Sequence, residues 1–403
     1  MKLVRMILNE MNNVSKRQKN FFELLAQTIV SIYGHVNFRS LSRYSGVSEK
    51  TFRRWFKLPF DFCEFNAKAI DKVLTPGNGV VAAFDQSFEG KAGKMTWGRS
   101  FFWNGCNSRA EKGLEFSLCS LIDVAKNIAY PLLAEQTPPD NEILEGSTRI
   151  DFYLSCISRV RLTILQYTNY FAFDGYFSKK KFVDGVVQMG FHFIGKLRAD
   201  ANLKVLYMGE RRRGRGRPKK FAGKCNISEL QGFVFEQFFD EETKLYSGIF
   251  YHTSLERSIK VVAAAQEKKN KICIALFFST DLSLGALAIY RYYKARFQIE
   301  FLFRDANQFT GLGDCQSRNK ESLHFHFNAS FTALNLVKIQ EQLEYATQEK
   351  TKPFSMASHK ARFHNESMIE RFFSMLDFDQ TLIKSTPLYQ EMLNYGTINF
   401  GGR

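Results

Sequence analysis

Long hydrophobic runs are missing from these 403 residues. No stretch approaches the roughly 18–20 unbroken apolar residues that a spanning helix needs, so no membrane partner is expected. The opening "MKLVRMILNEMNNVSKRQKN" turns polar after residue 8 and does not read as a secretory signal. Paired cysteines are missing too. The seven, at 63, 106, 119, 156, 225, 273 and 315, are scattered, odd in number and form no CxxC. That argues against a zinc site and a disulfide framework, and for free thiols in a reducing cytoplasm. There are no internal repeats. Acid is scarce relative to base: 40 Asp and Glu stand against 56 Lys and Arg, a formal charge of +16 and a pI near 9.4. Such an excess favours a polyanionic partner, because each phosphate neutralised by a basic side chain releases counterions.

What is present suffices for two or three domains, since 45% of the residues are hydrophobic. Residues 1–75 read as helical, with few Gly or Pro before Pro59. Within them "NFRSLSRYSGVSEKTFRRWFK" has the shape of a helix-turn-helix. Leu41 to Tyr44 supply a first helix, Ser45-Gly46 the turn, and Ser48 caps a second helix beginning at Glu49. That helix carries Lys50, Arg53, Arg54 and Lys57 around Phe52, Trp55 and Phe56, a pattern suited to a DNA groove. The alternative is an ordinary amphipathic hairpin of helices.

The composition shifts at "TPGNG" (75–79). "VVAAFDQSF" reads as a buried strand ending on Asp85, and "GLEFSLCSLIDV" and "NIAYPLLAEQT" as two more strands. A helix over 151–167 follows, then "TNYFAFDGYF", a short apolar run ending on Asp174. A helix over 178–189 and the strand "FHFIGKLRAD" complete a mixed α/β sheet over 76–200. From 201 to 283 the alternating runs "KLYSGIFYHT", "IKVVAAAQ" and "KICIALFFST" predict an inserted, mainly β subdomain with a basic loop, "RRRGRGRPKKFAGK". Residues 284–345 return to helix, including a long amphipathic one over "SLHFHFNASFTALNLVKIQEQLEYATQ". His324 and His326 there point about 200° apart on a helix, so they do not form a metal pair. The tail, 346–403, is polar and weakly patterned.

The stretch "YRYYKARFQIEFLFRDANQF" (290–309) carries the chemistry. At about 100° per residue, Tyr293, Arg296, Glu300, Arg304 and Asn307 share a sector of about 80°. Phe297 and Phe301 flank it on one side, Ile299 and Phe303 on the other. The plain alternative is an Arg–Glu pair at i, i+4. Asp85 and Asp174, however, each close a predicted buried strand, where an unpaired carboxylate is strongly disfavoured and where ligands of α/β sheets gather. Two strand aspartates and one helix glutamate supply the oxygen ligands that hard cations take.

Tyr293, two residues, Arg296, three residues, Glu300 resembles the Tyr-Arg-Glu-Lys signature of the IS4-type insertion-sequence transposases, with their DDE catalytic domain. "FDQSFEGKAGKMTWG", "FWNGC" and "KGLEFSLCSLIDVAKNIAYPLLAEQTP" are similar to the first-aspartate region of such enzymes. "YFAFDGYFSKKKFVDGVVQMGFHFIGKLRADANL" is similar to the second-aspartate region. The resemblance runs from about 80 to 335. It implies an RNase H-like core interrupted by the β insertion, between an N-terminal helical region and a helical C-terminus. Asp85, Asp174 and Glu300 would bind two Mg²⁺ ions (Mn²⁺ may substitute) for phosphoryl transfer. Tyr293 and Arg296 would hold the DNA end. A homodimer on double-stranded DNA, in a bacterial cytoplasm and associated with the nucleoid, is implied as well.

One position departs from the pattern: the family's lysine, seven residues beyond the glutamate, is Asn307. An amide brings no charge to a phosphate contact, and Arg304 on the same helical face is a substitute. The alternative is a decayed or domesticated DNA-binding protein. "GRGRPKK" resembles the core of an AT-hook, in which Arg215 and Arg217 would enter a narrow minor groove; a solvated basic linker is the competing reading.

Overall fold

The computed structural model describes residues 2–77, 79–143, 145–209, 219–268, 271–345, 354–376 and 383–398. Five helices precede the first strand: α1 (Lys2–Asn9), α2 (Lys16–Ser31), α3 (Phe38–Ser45), α4 (Glu49–Trp55) and α5 (Phe62–Ile70). Local chemistry sets the α3–α4 corner. Asn37 caps α3 by accepting from Ser40 N at 3.0 Å, and Gly46 ends it in the left-handed region at φ 72°. Ser48 then opens α4 by accepting from Thr51 N. Phe52 and Phe56 are buried beneath the corner, whereas Lys50, Arg53, Arg54 and Lys57 are exposed. Arg53 pairs with Glu49 within the helix.

The strands are β1 (Val80–Gly90), β2 (Ser100–Asn104), β3 (Arg109–Asp123), β4 (Ile128–Gln136), β5 (Tyr170–Phe173), β6 (His192–Leu197), β7 (Leu203–Leu206), β8 (Phe221–Lys224), β9 (Val234–Phe238), β10 (Thr243–His252), β11 (Arg257–Lys268) and β12 (Lys271–Ser279). All join one sheet. Its first part runs β4–β3–β1–β5–β6. There β1 is antiparallel to β3 and parallel to β5, and β5 is parallel to β6. The parallel crossovers are α6 (Arg149–Leu165) and α7 (Lys180–Gln188).

The β-rich stretch expected as an insertion over 201–283 is joined to the core sheet: β12 pairs with β6 from Leu276↔Leu197 to Ser279↔Ile194. An exposed edge on β6 would be a pairing liability, and β12 removes it. The strand carrying Asp85 does not end there but runs on to Gly90 against β3. What stops is its parallel partner, since β1–β5 pairing covers Ala82 to Phe84 only. Finally, β2 was not anticipated from the sequence.

Both faces of the sheet are covered, which is why β1 opens with the uninterrupted apolar run Val80–Phe84. Phe84 packs on Tyr153 of α6 and Phe182 of α7. The other face receives α8 (Ala286–Ala295), α9 (Gln298–Phe309) and α10 (Lys320–Tyr345), with Phe116 packed against Phe303 and Phe327. The weakly patterned tail forms α11 (Met356–Leu376) and α12 (Pro387–Leu393). Its docking includes buried polar contacts such as Lys360 donating to Ile29 O, which periodicity does not reveal.

Among the described residues β4 pairs with β3 alone, and side chains complete its open edge. Asn328 of α10 accepts from Ala134 N at 2.8 Å and donates to Ala134 O at 2.9 Å, imitating a neighbouring strand. Asn66 donates to Leu132 O, Asn335 to Pro131 O and Lys338 to Ala129 O. These buried polar residues are therefore backbone partners rather than breaks in the helix.

Candidate functional site

The expected single helix over 290–309 is two. α8 ends at Ala295 and α9 starts at Gln298, with the chain tightened between them. Phe297 N bonds Lys294 O and Glu300 N bonds Phe297 O, both three residues back, the spacing of a 3₁₀ turn. Only one aromatic flank docks on the sheet. Ile299 and Phe303 are buried, but Phe297 is 49% exposed. Phe297 instead packs edge-on against Phe301, four residues along.

That turn places Arg296 over the sheet, where three carboxylates meet it. Nη1 lies 2.9 Å from Asp85 Oδ2; Nη2 lies 3.3 Å from Glu300 Oε1 and 4.0 Å from Asp174 Oδ1. Asp85 stands on β1 where its parallel neighbour stops, Asp174 follows the last residue of β5, and Glu300 lies in the first turn of α9. The Asp85 and Arg296 side chains are largely enclosed, whereas those of Asp174 and Glu300 are 47% and 45% exposed, so the cluster opens on one side.

Electrostatics follow from this enclosure. Burial pushes Asp85 up to about 6 against the pull of Arg296, with Asp174 and Glu300 adding repulsion. Burial works against the Arg296 charge as well. Asp85, Tyr293, Asp174 and Glu300 outweigh it, and its pKa is raised. Arg296 Nε is buried without a partner. Tyr293 packs on Phe277 of β12 at 4.7 Å, with the Arg296 guanidinium 5.6 Å over its ring. Burial pushes its phenol up to about 12, so it is a neutral hydrogen-bond group at physiological pH. A groove of about 1270 Å³ runs alongside, lined by Arg291, Tyr293, Lys294, Arg296 and Phe239 from the turn before β10.

Three ionised carboxylates sharing one guanidinium leave a formal charge of −2, and their ligand atoms are all hard oxygens. That donor set fits a divalent cation such as Mg²⁺. The cage is not preformed, because among the described residues no group of three His, Cys, Asp or Glu is placed to hold a metal. Arg296 stands among the acids instead.

The remaining sequence candidates separate. Arg304 bonds Asp305 at 2.9 Å and covers Phe301; Asn307 is exposed, two turns along α9 from Glu300. Lys50, Arg53 and Arg54 belong to the α3–α4 corner. Arg215 and Arg217 lie outside the described residues. The relation that sequence reasoning missed is Arg296 with Asp85. Its one signal was an arginine on the glutamate's helical face, which was assigned to DNA instead.

Residues 151–336 match the family model described as "Transposase DDE domain". The match includes Asp174 and Glu300 and begins after Asp85. No curated protein matches the chain. Among solved structures, the NurA nuclease from Sulfolobus solfataricus aligns at 10% identity over 76% of this chain and 95% of that one. Its TM-score is 0.23. Among the described residues no helix is long and apolar enough to cross a membrane. The family match supports a DDE transposase.

Proposed function

We propose that the chain is a transposase of the IS4 type that binds the ends of its own element and performs metal-dependent cleavage and strand transfer. Asp85, Asp174 and Glu300 are the metal-binding carboxylates in this reading. The observation that carries it is the meeting of these three side chains, from two strands and one helix, on a single guanidinium. The strand order β4–β3–β1–β5–β6, with β1, β5 and β6 parallel, supports an RNase H-like core. Bound Mg²⁺ would supply Lewis-acid stabilisation of the charge on the attacking and leaving oxygens.

This chain's own residues do the rest. Asp174 and Glu300 face the open side, where a phosphodiester enters. Asp85, enclosed beneath, must be ionised to act as a ligand, and Arg296 favours that state. Tyr293, neutral and at the groove, offers a hydroxyl to a DNA phosphate. Arg304 and Asn307 extend the same exposed line along α9, while Lys50 and Arg54 carry duplex contacts at the α3–α4 corner. Arg53, paired with Glu49, contributes less. Arg215 and Arg217 would add minor-groove contacts. Two ends cut together call for a homodimer.

The test is nicking of a supercoiled plasmid carrying the element's ends, with and without Mg²⁺, by wild type and by Glu300→Gln. Mg²⁺-dependent nicking lost in the variant, with DNA binding retained, supports the reading. Binding without nicking by either protein sinks it and favours a DNA-binding protein that has lost its chemistry, with Asn307→Lys as the next variant.

A further inference from the structure

Past Gly113, β3 leaves β1 behind. Residues 109–112 pair with β2 alone, from Phe101↔Lys112 to Asn104↔Arg109, making a two-stranded ribbon that projects from the sheet. A lone pair of strands is marginal in water, and this one is secured on one side only. There Phe102 is buried under the Arg149 guanidinium, 4.6 Å from its ring centroid. Arg149 also donates to Phe101 O at 3.2 Å. Glu111, the ribbon's acid, is on this secured side as the partner of Phe102, and it is held by Arg109, Asn104 and Asn107.

The opposite side is bare. Phe101 and Trp103, two residues apart, are 56% and 62% exposed. Lys112, directly across from Phe101, sets its ammonium 5.1 Å from that ring. Ala110 faces Trp103, so this side shows two rings, one cation and no carboxylate.

The register says where this side points. Asp85 is opposite Leu118, and pairing runs without a shift to Gly113. Side chains alternate along a strand, so Lys112, six residues from Leu118, shares the face of Asp85. Phe101 and Trp103 share it through their pairing with Lys112 and Ala110. The separation is about 20 Å at about 3.3 Å per residue. One DNA strand covers that span in about six nucleotides.

We propose that the bare side of this ribbon is a stacking platform for an unpaired DNA strand leading away from the acid cluster. Flat exposed rings accept any base, and the lysine answers the phosphates between them. A protein partner would be offered no acid to pair with and only a narrow strip of surface. The identification of the strand as DNA rests on the proposed function; the platform itself rests on the ribbon.

The experiment uses the full chain without divalent metal. Fluorescence anisotropy compares a labelled oligothymidine of about twenty nucleotides with a labelled mixed-sequence duplex of the same length. Phe101→Ala/Trp103→Ala is expected to weaken oligothymidine binding about thirtyfold or more and duplex binding less than about threefold. Trp103→Phe keeps a ring and stays within about threefold of wild type; it also loses the share of the quenching by oligothymidine that Trp103 contributes, Trp55 and Trp97 remaining. Equal weakening on both probes, no weakening on either, or a wild type that does not bind oligothymidine overturns the platform. A fold lost in the double alanine shows in circular dichroism, and Trp103→Phe then decides through its quenching. Absence of Mg²⁺-dependent nicking, with oligothymidine binding and its dependence on Phe101 and Trp103 intact, would sink the proposed chemistry and leave the platform standing.

Discussion

Arg296 reaches Asp85 across 211 residues of sequence, and its Nη1 donates to Oδ2 at 2.9 Å. The same guanidinium faces Asp174 and Glu300, so one buried cation holds together three acids that would otherwise repel. Removing one member of an enclosed ion pair costs far more than the pair contributes, because the partner is left charged and unpaired.

Arg296→Met is therefore expected to lower unfolding stability at pH 7.5 by about 2–4 kcal/mol. Millimolar Mg²⁺ should return part of that loss in the variant, since a divalent cation answers the freed carboxylates. Urea melts with and without Mg²⁺ measure both effects. A variant as stable as wild type would show that solvent already screens the cluster.

The β4 edge makes a second demand. Asn328→Ala strips the partner from both Ala134 N and Ala134 O, in a place that water does not reach. A loss of about 2–4 kcal/mol is expected in chemical denaturation. Asn328→Asp should be worse near neutral pH, because a carboxylate cannot donate to the Ala134 carbonyl.

Two lysines tie stability to alkaline pH. Burial lowers Lys338 to about 8 and Lys360 to about 8. With the folded pKa below the unfolded one, near 10.4, the unfolded chain binds more protons between the two values. Stability contributed by these groups is thus present above about 10 and lost as pH falls through about 8. The urea midpoint should rise from pH 7.5 towards pH 9.5, and Lys338→Met should remove part of that rise. A midpoint flat over this range would contradict it.

Lys50 and Arg54 are exposed on α4, and among the described residues neither pairs with an acid as Arg53 does with Glu49. Lys50→Ala and Arg54→Ala should each weaken duplex binding and reduce the slope of log K against log salt by about 1. Arg53→Ala should change the slope less, because Glu49 already answers its charge. Equal slopes for all three variants would remove α4 from the DNA interface.

Where local chemistry decides, the sequence was legible. Ser48 as a cap and Gly46 as a turn made the α3–α4 corner readable. The short apolar runs before Asp174 and around Asp85 announced β5 and β1, and helical spacing put Glu300 beside Arg296. The misreadings concern relations between distant segments. Nothing in "VVAAFDQSF" says that β1 outlasts its parallel neighbour by several residues. Nothing in "KICIALFFST" says that β12 will lie against β6 rather than in a sheet of its own.

By itself the sequence determined the kind and order of most elements and the excess of positive charge, and it singled out three acids by their place on strands and helix. Periodicity encodes which side of an element is buried, and caps and turns encode where it stops. Tertiary structure decided what each buried polar group meets. It turned Arg296 towards Asp85, set Asn328 against the β4 backbone, and left Phe101 and Trp103 uncovered on the face that carries Asp85. Those outcomes depend on strand register and on the tightened turn at Arg296 and Phe297. Both are set by packing among segments far apart in the chain, where no local pattern reaches.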